Sequence, residues 1–297
     1  MSSSRTDSEE FPLGQLPKML RSAWDQHRQK VRRTVIRVAS FNLLVVSSGE
    51  TDPHLAEIVE GLQASHPCRL IWTKLKPEKE WDESTAALSL VTRCEGRQVC
   101  SEQIVLRCGN DRARVPSVVL PLIEAGLPTH MIWWKAGPLD GPLFRRLHDR
   151  AKLTLWQPEA PPSNWALEYL DRNWSDPYQF EHATYPLDWF RILGRRKSIA
   201  RAYDHGSVRV RAFDTGAEMS LKHKLLKGWL ASRLGQNSSE VDFQWTSGRT
   251  GCQIASDEPQ ELPLLDDLHA VRVALDQAER DPVFAQALKA LLSPAAR

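Results

Sequence analysis

One helix-like stretch carries the densest group of side chains that could bind an anion. In LDWFRILGRRKSIARAYD, Arg191 lies three residues after Asp188 and Arg195 lies four residues after Arg191, so in a helix the three side chains share a face. Arginine guanidinium groups bind phosphate and carboxylate groups through paired hydrogen bonds. The stretch therefore predicts either a clamp for such an anion or a basic helix face that only contacts solvent.

A second candidate is the end of an apolar strand, in THMIWWKAGP at residues 129–138. Side chains alternate across a strand, so only one of Trp133 and Trp134 can point into a given core. The carboxyl end of a strand in an α/β sheet faces the crevice where ligands bind. We expect one indole in the core, and Trp134 beside Lys135 at the crevice or at a surface that contacts another protein. Packing of both indoles within the chain is the alternative.

The sequence lacks the short motifs of several enzyme classes. It contains no GxGxxG after the first strand, no GxxxxGK[ST], no GxSxG and no HExxH, which removes the usual signatures of dinucleotide binding, P-loop nucleotide binding, serine hydrolases and zinc proteases. The nine histidines are scattered, and none lies three or four residues from another, so the spacing typical of metal ligands is missing. We therefore predict no catalytic residue, no cofactor and no metal site.

The cysteines do not form a recognisable framework. Their number is odd and no CxxC pair occurs, which argues against both a set of disulfides and a structural zinc site. Cys94, Cys100 and Cys108 lie close together in the sequence. Redox sensing by that segment stays open beside the simpler interpretation of buried, reduced thiols.

The overall charge is nearly balanced, with a formal net charge of +2. A balance of this kind gives no strong field to attract nucleic acid or an anionic membrane, so we predict neither as a partner. The longest apolar runs, such as FNLLVV and SVVLPLI, are far shorter than the roughly 20 residues of a membrane helix. The first residues lack the apolar core of a secretory signal, so a cytoplasmic location is predicted.

Residues 1–32 are polar and charged, and we predict a flexible N-terminal arm with at most a short helix. Residues 33–157 alternate strand and helix patterns, with Asp52 as a helix N-cap before Pro53. Two strand patterns between residues 88 and 109 predict an antiparallel hairpin. A helix over residues 115–126 is expected to break or kink near Pro121. This region predicts a doubly wound, mostly parallel α/β (Rossmann-like) domain with THMIWW as a central strand.

The proline-rich PEAPPSN marks a linker, and residues 158–297 predict an α+β domain. We expect one helix over residues 187–203, a strand at VRVRAF, a strand at HAVRVAL and a closing helix. Gly228 interrupts the helix pattern of LLKGWLASRLG at a cost of about 1 kcal/mol relative to alanine. Close approach of another backbone, with Trp229 filling the facing pocket, explains this glycine, and a partner interface is the alternative.

Three blocks of the sequence together resemble the OpcA family, the glucose-6-phosphate dehydrogenase assembly proteins. They are VPSVVLPLIEAGLPTHMIWWKAGP, LDWFRILGRRKSIARAYD and LLKGWLASRLG, which occur in this order over about residues 110–235. The family's middle block is similar to a D-x-x-W-x-R pattern. Here Asp188 and Trp189 are adjacent and are followed by Arg191 and Arg195, so that block departs from the pattern.

The resemblance implies a non-enzymatic protein that binds glucose-6-phosphate dehydrogenase, promotes its oligomeric assembly and activates it in the oxidative pentose phosphate pathway. The residues that we predict to contact this partner are Trp134, Lys135, Asp188, Trp189, Arg191, Arg195, Arg196 and Trp229. A sugar-phosphate-binding protein or a small-molecule enzyme that uses the α/β crevice near Lys135 is the alternative function.

Overall fold

A computed structural model of the chain describes residues 3–5, 10–30, 36–37, 39–49, 52–95, 97–160, 162, 164–175, 182–204, 208–214, 218–234, 241–247, 251–254, 260–277 and 279–293. The chain divides into two compact units, residues 1–159 and 160–297. Across the part of the chain that the structure describes, no helix has both the length and the apolar character needed to cross a membrane.

The first unit is built on one sheet with helices. Its strands are β1 (Ser3–Arg5), β2 (Phe11–Pro12), β3 (Ile36–Arg37), β4 (Phe41–Ser48), β5 (Cys68–Leu75), β6 (Thr85–Glu95), β7 (Arg97–Cys108), β8 (Thr129–Trp134) and β9 (Leu153–Gln157). Its helices are α1 (Leu16–Lys30), α2 (Pro53–Ser65), α3 (Val115–Val119) and α4 (Pro142–His148).

The sheet of the first unit runs in the order β6-β7-β5-β4-β8-β9, with β1 and β2 paired to β6 and β3 paired to β7. The neighbouring pairs β7–β5, β5–β4, β4–β8 and β8–β9 are parallel. Strand β6 is antiparallel to β7, which confirms the predicted hairpin. The mostly parallel α/β sheet predicted for this region is therefore confirmed.

Short-range sequence patterns correctly predicted two helix boundaries of this unit. The Asp52 side chain accepts a hydrogen bond from the His54 backbone N–H at 3.1 Å, and Pro53 is the first residue of α2. Helix α3 ends at Val119 and continues as a 3-10 turn over Leu120–Leu122. This break is the one expected at Pro121, whose ring prevents a regular helix.

Several side chains between residues 10 and 26 pack against the sheet. Phe11 is 6% exposed and Leu16 is 2% exposed. The Trp24 indole N–H donates a hydrogen bond to the carboxylate of Glu102 on β7, and Glu102 also pairs with Arg69 of β5 at 3.0 Å. Because these contacts bury apolar side chains, they correct the prediction of a flexible arm over residues 1–32 for this part of it.

The second unit combines a small sheet with helices. Its strands are β10 (Ala183–Pro186), β11 (Val208–Asp214), β12 (Val241–Ser247), β13 (Gly251–Ile254) and β14 (Gln260–Glu261). Its helices are α5 (Asn164–Ser175), α6 (Leu187–Arg191), α7 (Leu193–Tyr203), α8 (Leu221–Leu234), α9 (Asp267–Asp276) and α10 (Pro282–Leu292). Four of these strands form the small sheet, in the order β12-β11-β13-β14. Strand β12 is parallel to β11, and the pairs β11–β13 and β13–β14 are antiparallel. This is the predicted α+β arrangement.

Two expectations for the second unit were wrong. The segment HAVRVAL is part of helix α9, not a strand, because Asp266 caps the helix by accepting a hydrogen bond from the His269 N–H at 2.8 Å. The helix expected over residues 187–203 is interrupted at Ile192. There the carbonyl of Arg191 accepts a hydrogen bond from the Leu265 N–H at 2.9 Å, so it does not serve the next turn of a continuous helix.

Gly228 lies where helices α8 and α10 pack against each other. A Cβ atom at this position would overlap the Ala287 carbonyl oxygen and would lie 3.0 Å from the Leu291 Cβ. The glycine therefore allows close approach of the α10 backbone. This agrees with the first explanation given for Gly228, close approach of another backbone, rather than with a partner interface. Trp229, next to it, is half-buried.

Candidate functional site

The two adjacent tryptophans at the end of β8 face opposite sides of the sheet. Trp133 is 2% exposed, and its indole N–H donates a hydrogen bond to the Gly137 carbonyl at 2.8 Å. Its ring packs edge-on against the Phe144 ring of α4, with the ring centroids 5.2 Å apart. Trp134 is 3% exposed, and its indole N–H donates to Asp52 at the start of α2 at 3.0 Å. Helices α4 and α2 thus cover opposite faces, as a doubly wound sheet requires.

Beside Trp134, at the carboxyl end of β8, Lys135 forms an ion pair with Asp52 of the same chain. The Lys135 Nζ lies 3.1 Å from the same Asp52 Oδ2 that accepts the Trp134 bond. The Lys135 side chain remains 42% exposed, and its backbone adopts a φ of 52°, which is uncommon for a residue other than glycine. The positive charge expected at this strand end is therefore already matched by a carboxylate.

The electrostatics of Asp52 follow from its position. Burial alone would raise the pKa of this carboxyl group, but hydrogen bonds from Trp134 and Lys135, with the Lys135 charge, lower the pKa below its ordinary value of 3.8. The carboxylate form is thus the form that the folded chain favours. It holds the N-terminus of α2, the indole and the ammonium group together.

We expect Asp52→Asn to lower the free energy of unfolding at pH 7 by about 1 kcal/mol, because asparagine keeps the helix cap but loses the charge-assisted bonds at a partly exposed site. A carboxyl group whose pKa is depressed on folding contributes stability above its ordinary pKa and loses it as the pH falls through the folded-state value. Urea unfolding of both proteins from pH 7 to pH 3 should show the difference shrinking in acid. An equal difference at both ends would contradict this role.

In the second unit, Arg191 is the centre of a three-residue ion cluster. Its Nη2 lies 2.7 Å from Asp267 Oδ2 and its Nε lies 2.5 Å from Asp267 Oδ1, in a bidentate pair. Its Nη1 also lies 2.8 Å from Asp188. Burial alone would lower the pKa of Arg191, but the bonds to Asp267 and Asp188 raise it above its ordinary value. The guanidinium group therefore joins α6 to α9.

Arg195 is also used within this unit. It is 3% exposed, its Nε donates to the Leu262 carbonyl at 3.0 Å, and its Nη1 lies 2.7 Å from the His223 Nε2 of α8. The guanidinium group thus joins α7 to α8 and to the segment that follows β14. The sequence allowed either an anion clamp or a solvent-facing basic helix face. An anion clamp requires an accessible guanidinium group, and that of Arg195 is buried.

Arg196 and Trp189 form a buried stack. The guanidinium carbon of Arg196 lies 3.7 Å from the centre of the Trp189 ring, a cation–π arrangement. Burial lowers the pKa of Arg196 to about 10. Trp189 is 0% exposed, and its indole N–H donates to Asp281, the N-cap of α10, at 3.1 Å. The stack therefore secures the start of the last helix.

The residues predicted to contact a partner separate by exposure. Those that are buried within their own unit, and so support the fold in this structure, are Trp134, Trp189, Arg195 and Arg196. This burial leaves little of these four side chains accessible, while contact with a partner through them stays a prediction. Contact with a partner stays a prediction for the others, which are half-buried: Lys135, Asp188, Arg191 and Trp229.

The thiols can be assessed only in part. Cys68, Cys108 and Cys252 are buried and form no disulfide among the residues that the structure describes, and burial raises the pKa of Cys108 to about 12. A thiol with so high a pKa is a poor nucleophile and a poor redox sensor. The side chains of Cys94 and Cys100 lie outside the described part of the structure, so the redox hypothesis for them stays a prediction.

Comparison with known proteins points to one family. Residues 59–164 match the OpcA assembly family through a model described as "Glucose-6-phosphate dehydrogenase subunit N-terminal domain". The match includes the first of the three sequence blocks and ends before the other two. It supports the assignment of the chain to the OpcA family that the sequence resemblance suggested. No curated protein matches the chain.

Solved structures with some similarity are distant. One is described as trehalose-6-phosphate from E. coli bound with UDP-2-fluoro glucose, at 11% identity and a TM-score of 0.28, covering 80% of this chain and 69% of that chain. Another is alpha,alpha-trehalose 6-phosphate synthase from Burkholderia multivorans, at 12% identity and a TM-score of 0.27, covering 72% of this chain and 64% of that chain. Similarity at this level carries no functional argument.

Proposed function

We propose that this chain binds glucose-6-phosphate dehydrogenase, promotes its oligomeric assembly and activates it, without catalysing a reaction of its own. The observation that carries the proposal is the match of residues 59–164 to a family defined by assembly of that dehydrogenase. The matched range runs from the middle of α2 to the residues after β9 and so includes the strand end with Lys135. A cytoplasmic location and a place in the oxidative pentose phosphate pathway belong to the same proposal.

The ion pairs at Lys135 and at Arg191 favour binding of a protein partner over the alternative function, which is binding of a sugar phosphate or catalysis on a small molecule. Ligand crevices of α/β sheets offer donor groups to the ligand at the carboxyl ends of strands. Here Lys135 is paired with Asp52 at 3.1 Å, and Arg191 is paired with Asp267 and Asp188. A phosphate would have to displace a carboxylate at either place.

The alternative retains one favourable observation. Lys135 combines 42% side-chain exposure with a left-handed backbone, and strained residues often occur at functional sites. If the crevice binds a sugar phosphate, glucose 6-phosphate should protect the chain against thermal unfolding, and Lys135→Met should abolish that protection. The proposed assembly function expects no such protection.

The assembly function is tested by mixing the purified chain with glucose-6-phosphate dehydrogenase from the same organism. We expect sedimentation velocity to show a larger species that contains both proteins, and steady-state kinetics to show a lower KM for glucose 6-phosphate or a higher kcat. The chain alone should turn over neither glucose 6-phosphate nor its lactone. A dehydrogenase from an unrelated organism serves as the control. Absence of a complex at micromolar concentrations, or turnover by the chain alone, would contradict the proposal.

A further inference from the structure

A cavity of about 250 Å³ lies at the carboxyl end of β8, between the β8–α4 loop and the residues that precede α3. Its lining is mostly apolar and includes Trp133, Leu143 and Phe144. Among the described residues that line it, Arg112 alone carries a charge. The cavity lies on the face of the sheet that α4 covers, opposite the Asp52 and Lys135 pair.

The walls of this cavity are held in place by the first unit itself. The Trp133 indole is fixed by its bond to the Gly137 carbonyl at 2.8 Å and by edge-on contact with Phe144. Gly137 has a φ of 112°, a conformation that is readily accessible only to glycine. The space therefore exists before any partner binds.

The same glycine places the charged group at the rim. A Cβ atom on Gly137 would lie 3.1 Å from the Arg112 Nη1, so the guanidinium group rests against the backbone where a side chain would stand. Arg112 is exposed, and it forms no ion pair within the part of the chain that the structure describes. Arg112 thus differs from Lys135 and Arg191, because no carboxylate among the described residues pairs with it, and it lies beside an apolar space.

We propose, resting on the assembly function above, that this cavity receives an apolar side chain of the dehydrogenase and that Arg112 pairs with a neighbouring carboxylate of the same segment. The space is large enough for a leucine, phenylalanine or tryptophan side chain. Binding energy at protein interfaces concentrates in a few pockets that aromatic or aliphatic anchors fill. Charged groups at the rim add specificity and speed association. Every lining residue lies within the matched range 59–164.

Two variants test the cavity without touching its buried walls. Ala113 lines the cavity but is exposed, so Ala113→Trp can fill the space from the rim, and we expect it to weaken dehydrogenase binding by about thirtyfold. Arg112→Gln should weaken binding about threefold to tenfold and reduce its dependence on salt. Arg145→Gln is the matched control, because Arg145 is exposed on α4 and does not line the cavity. Thermal unfolding of each variant verifies that it folds.

The outcomes separate this inference from the proposed function. Loss of affinity in Ala113→Trp and Arg112→Gln, with Arg145→Gln unchanged, supports the cavity as the contact site. If the unaltered chain binds the dehydrogenase and the two cavity variants bind equally well, the inference is overturned while the assembly function stands. If the unaltered chain does not bind, both fall. Binding of indole-3-acetate to the cavity with no effect on the complex would indicate a small-molecule site and would also overturn the inference.

Discussion

Replacing Trp134 by alanine is expected to lower the free energy of unfolding of the first unit by about 3 to 5 kcal/mol. The side chain is 3% exposed between β8 and the start of α2, so its removal leaves a cavity. It also leaves the Asp52 carboxylate without one of its hydrogen-bond donors. Urea unfolding followed by circular dichroism measures this loss as a lower midpoint.

Trp165→Ala is the control, because it makes the same tryptophan-to-alanine change at an exposed position. Trp165 is 39% exposed on α5 and stacks on Tyr169 at 5.7 Å, so its removal should change stability by about 1 kcal/mol or less. If Trp134→Ala unfolded at the same urea concentration as the unaltered chain but bound the dehydrogenase weakly, Trp134 would be the surface contact that the sequence pattern predicted. Burial at both faces of β8 leads us to expect the opposite.

Arg191→Ala is expected to lower the free energy of unfolding of the second unit by about 3 to 5 kcal/mol. The side chains of Arg191 and Asp267 are 15% and 13% exposed, and removal of the guanidinium group takes away the cation that the mostly buried carboxylates of Asp188 and Asp267 share. Differential scanning calorimetry should show a lower melting temperature for the transition of this unit.

Two further variants decide whether the effect comes from the ion cluster. Arg201→Ala removes an exposed arginine of α7 and should have little effect, since surface charges contribute little. Arg191→Ala combined with Asp267→Ala should cost less than the sum of the two single changes, because the second change removes a carboxylate that had already lost its bonds to Arg191. Additive losses would show that the pair is not coupled and would argue against the role given to Arg191.

Features of the fold that depend on neighbouring residues were predictable from the sequence. The Asp52–Pro53 start of α2 and the break at Pro121 are set by backbone chemistry within a few residues. Strand alternation also predicted correctly that Trp133 and Trp134 face opposite ways. It could not show that both faces are covered, because the residue that holds Trp134 lies 82 positions earlier in the chain.

The candidate site was harder to predict for the same reason. The spacing of Arg191 and Arg195 is identical for a solvent-facing helix and for a buried network. The groups that decide between these, Leu262 and Asp267, lie 67 and 76 residues from their arginine partners. Arg112 and Gly137 escaped notice because their proximity depends on how the loop after β8 turns. The sequence did contain one unused signal, the Asp–Pro pair at residues 281–282, which is typical of a helix start.

The long separation between these partners has a consequence for synthesis on the ribosome. Strands β1 to β9, which belong to the first unit, have all been made once residue 157 is added, so the first unit can fold early. Arg191 must wait 76 residues for Asp267, and Trp189 must wait 92 residues for Asp281. At roughly 5 to 20 residues per second, the first of these delays lasts about 4 to 15 s. During that interval the segment from residue 187 to residue 203 has been made before helices α9 and α10, which supply Asp267 and Asp281, so chaperones have time to act on this segment before its partners exist.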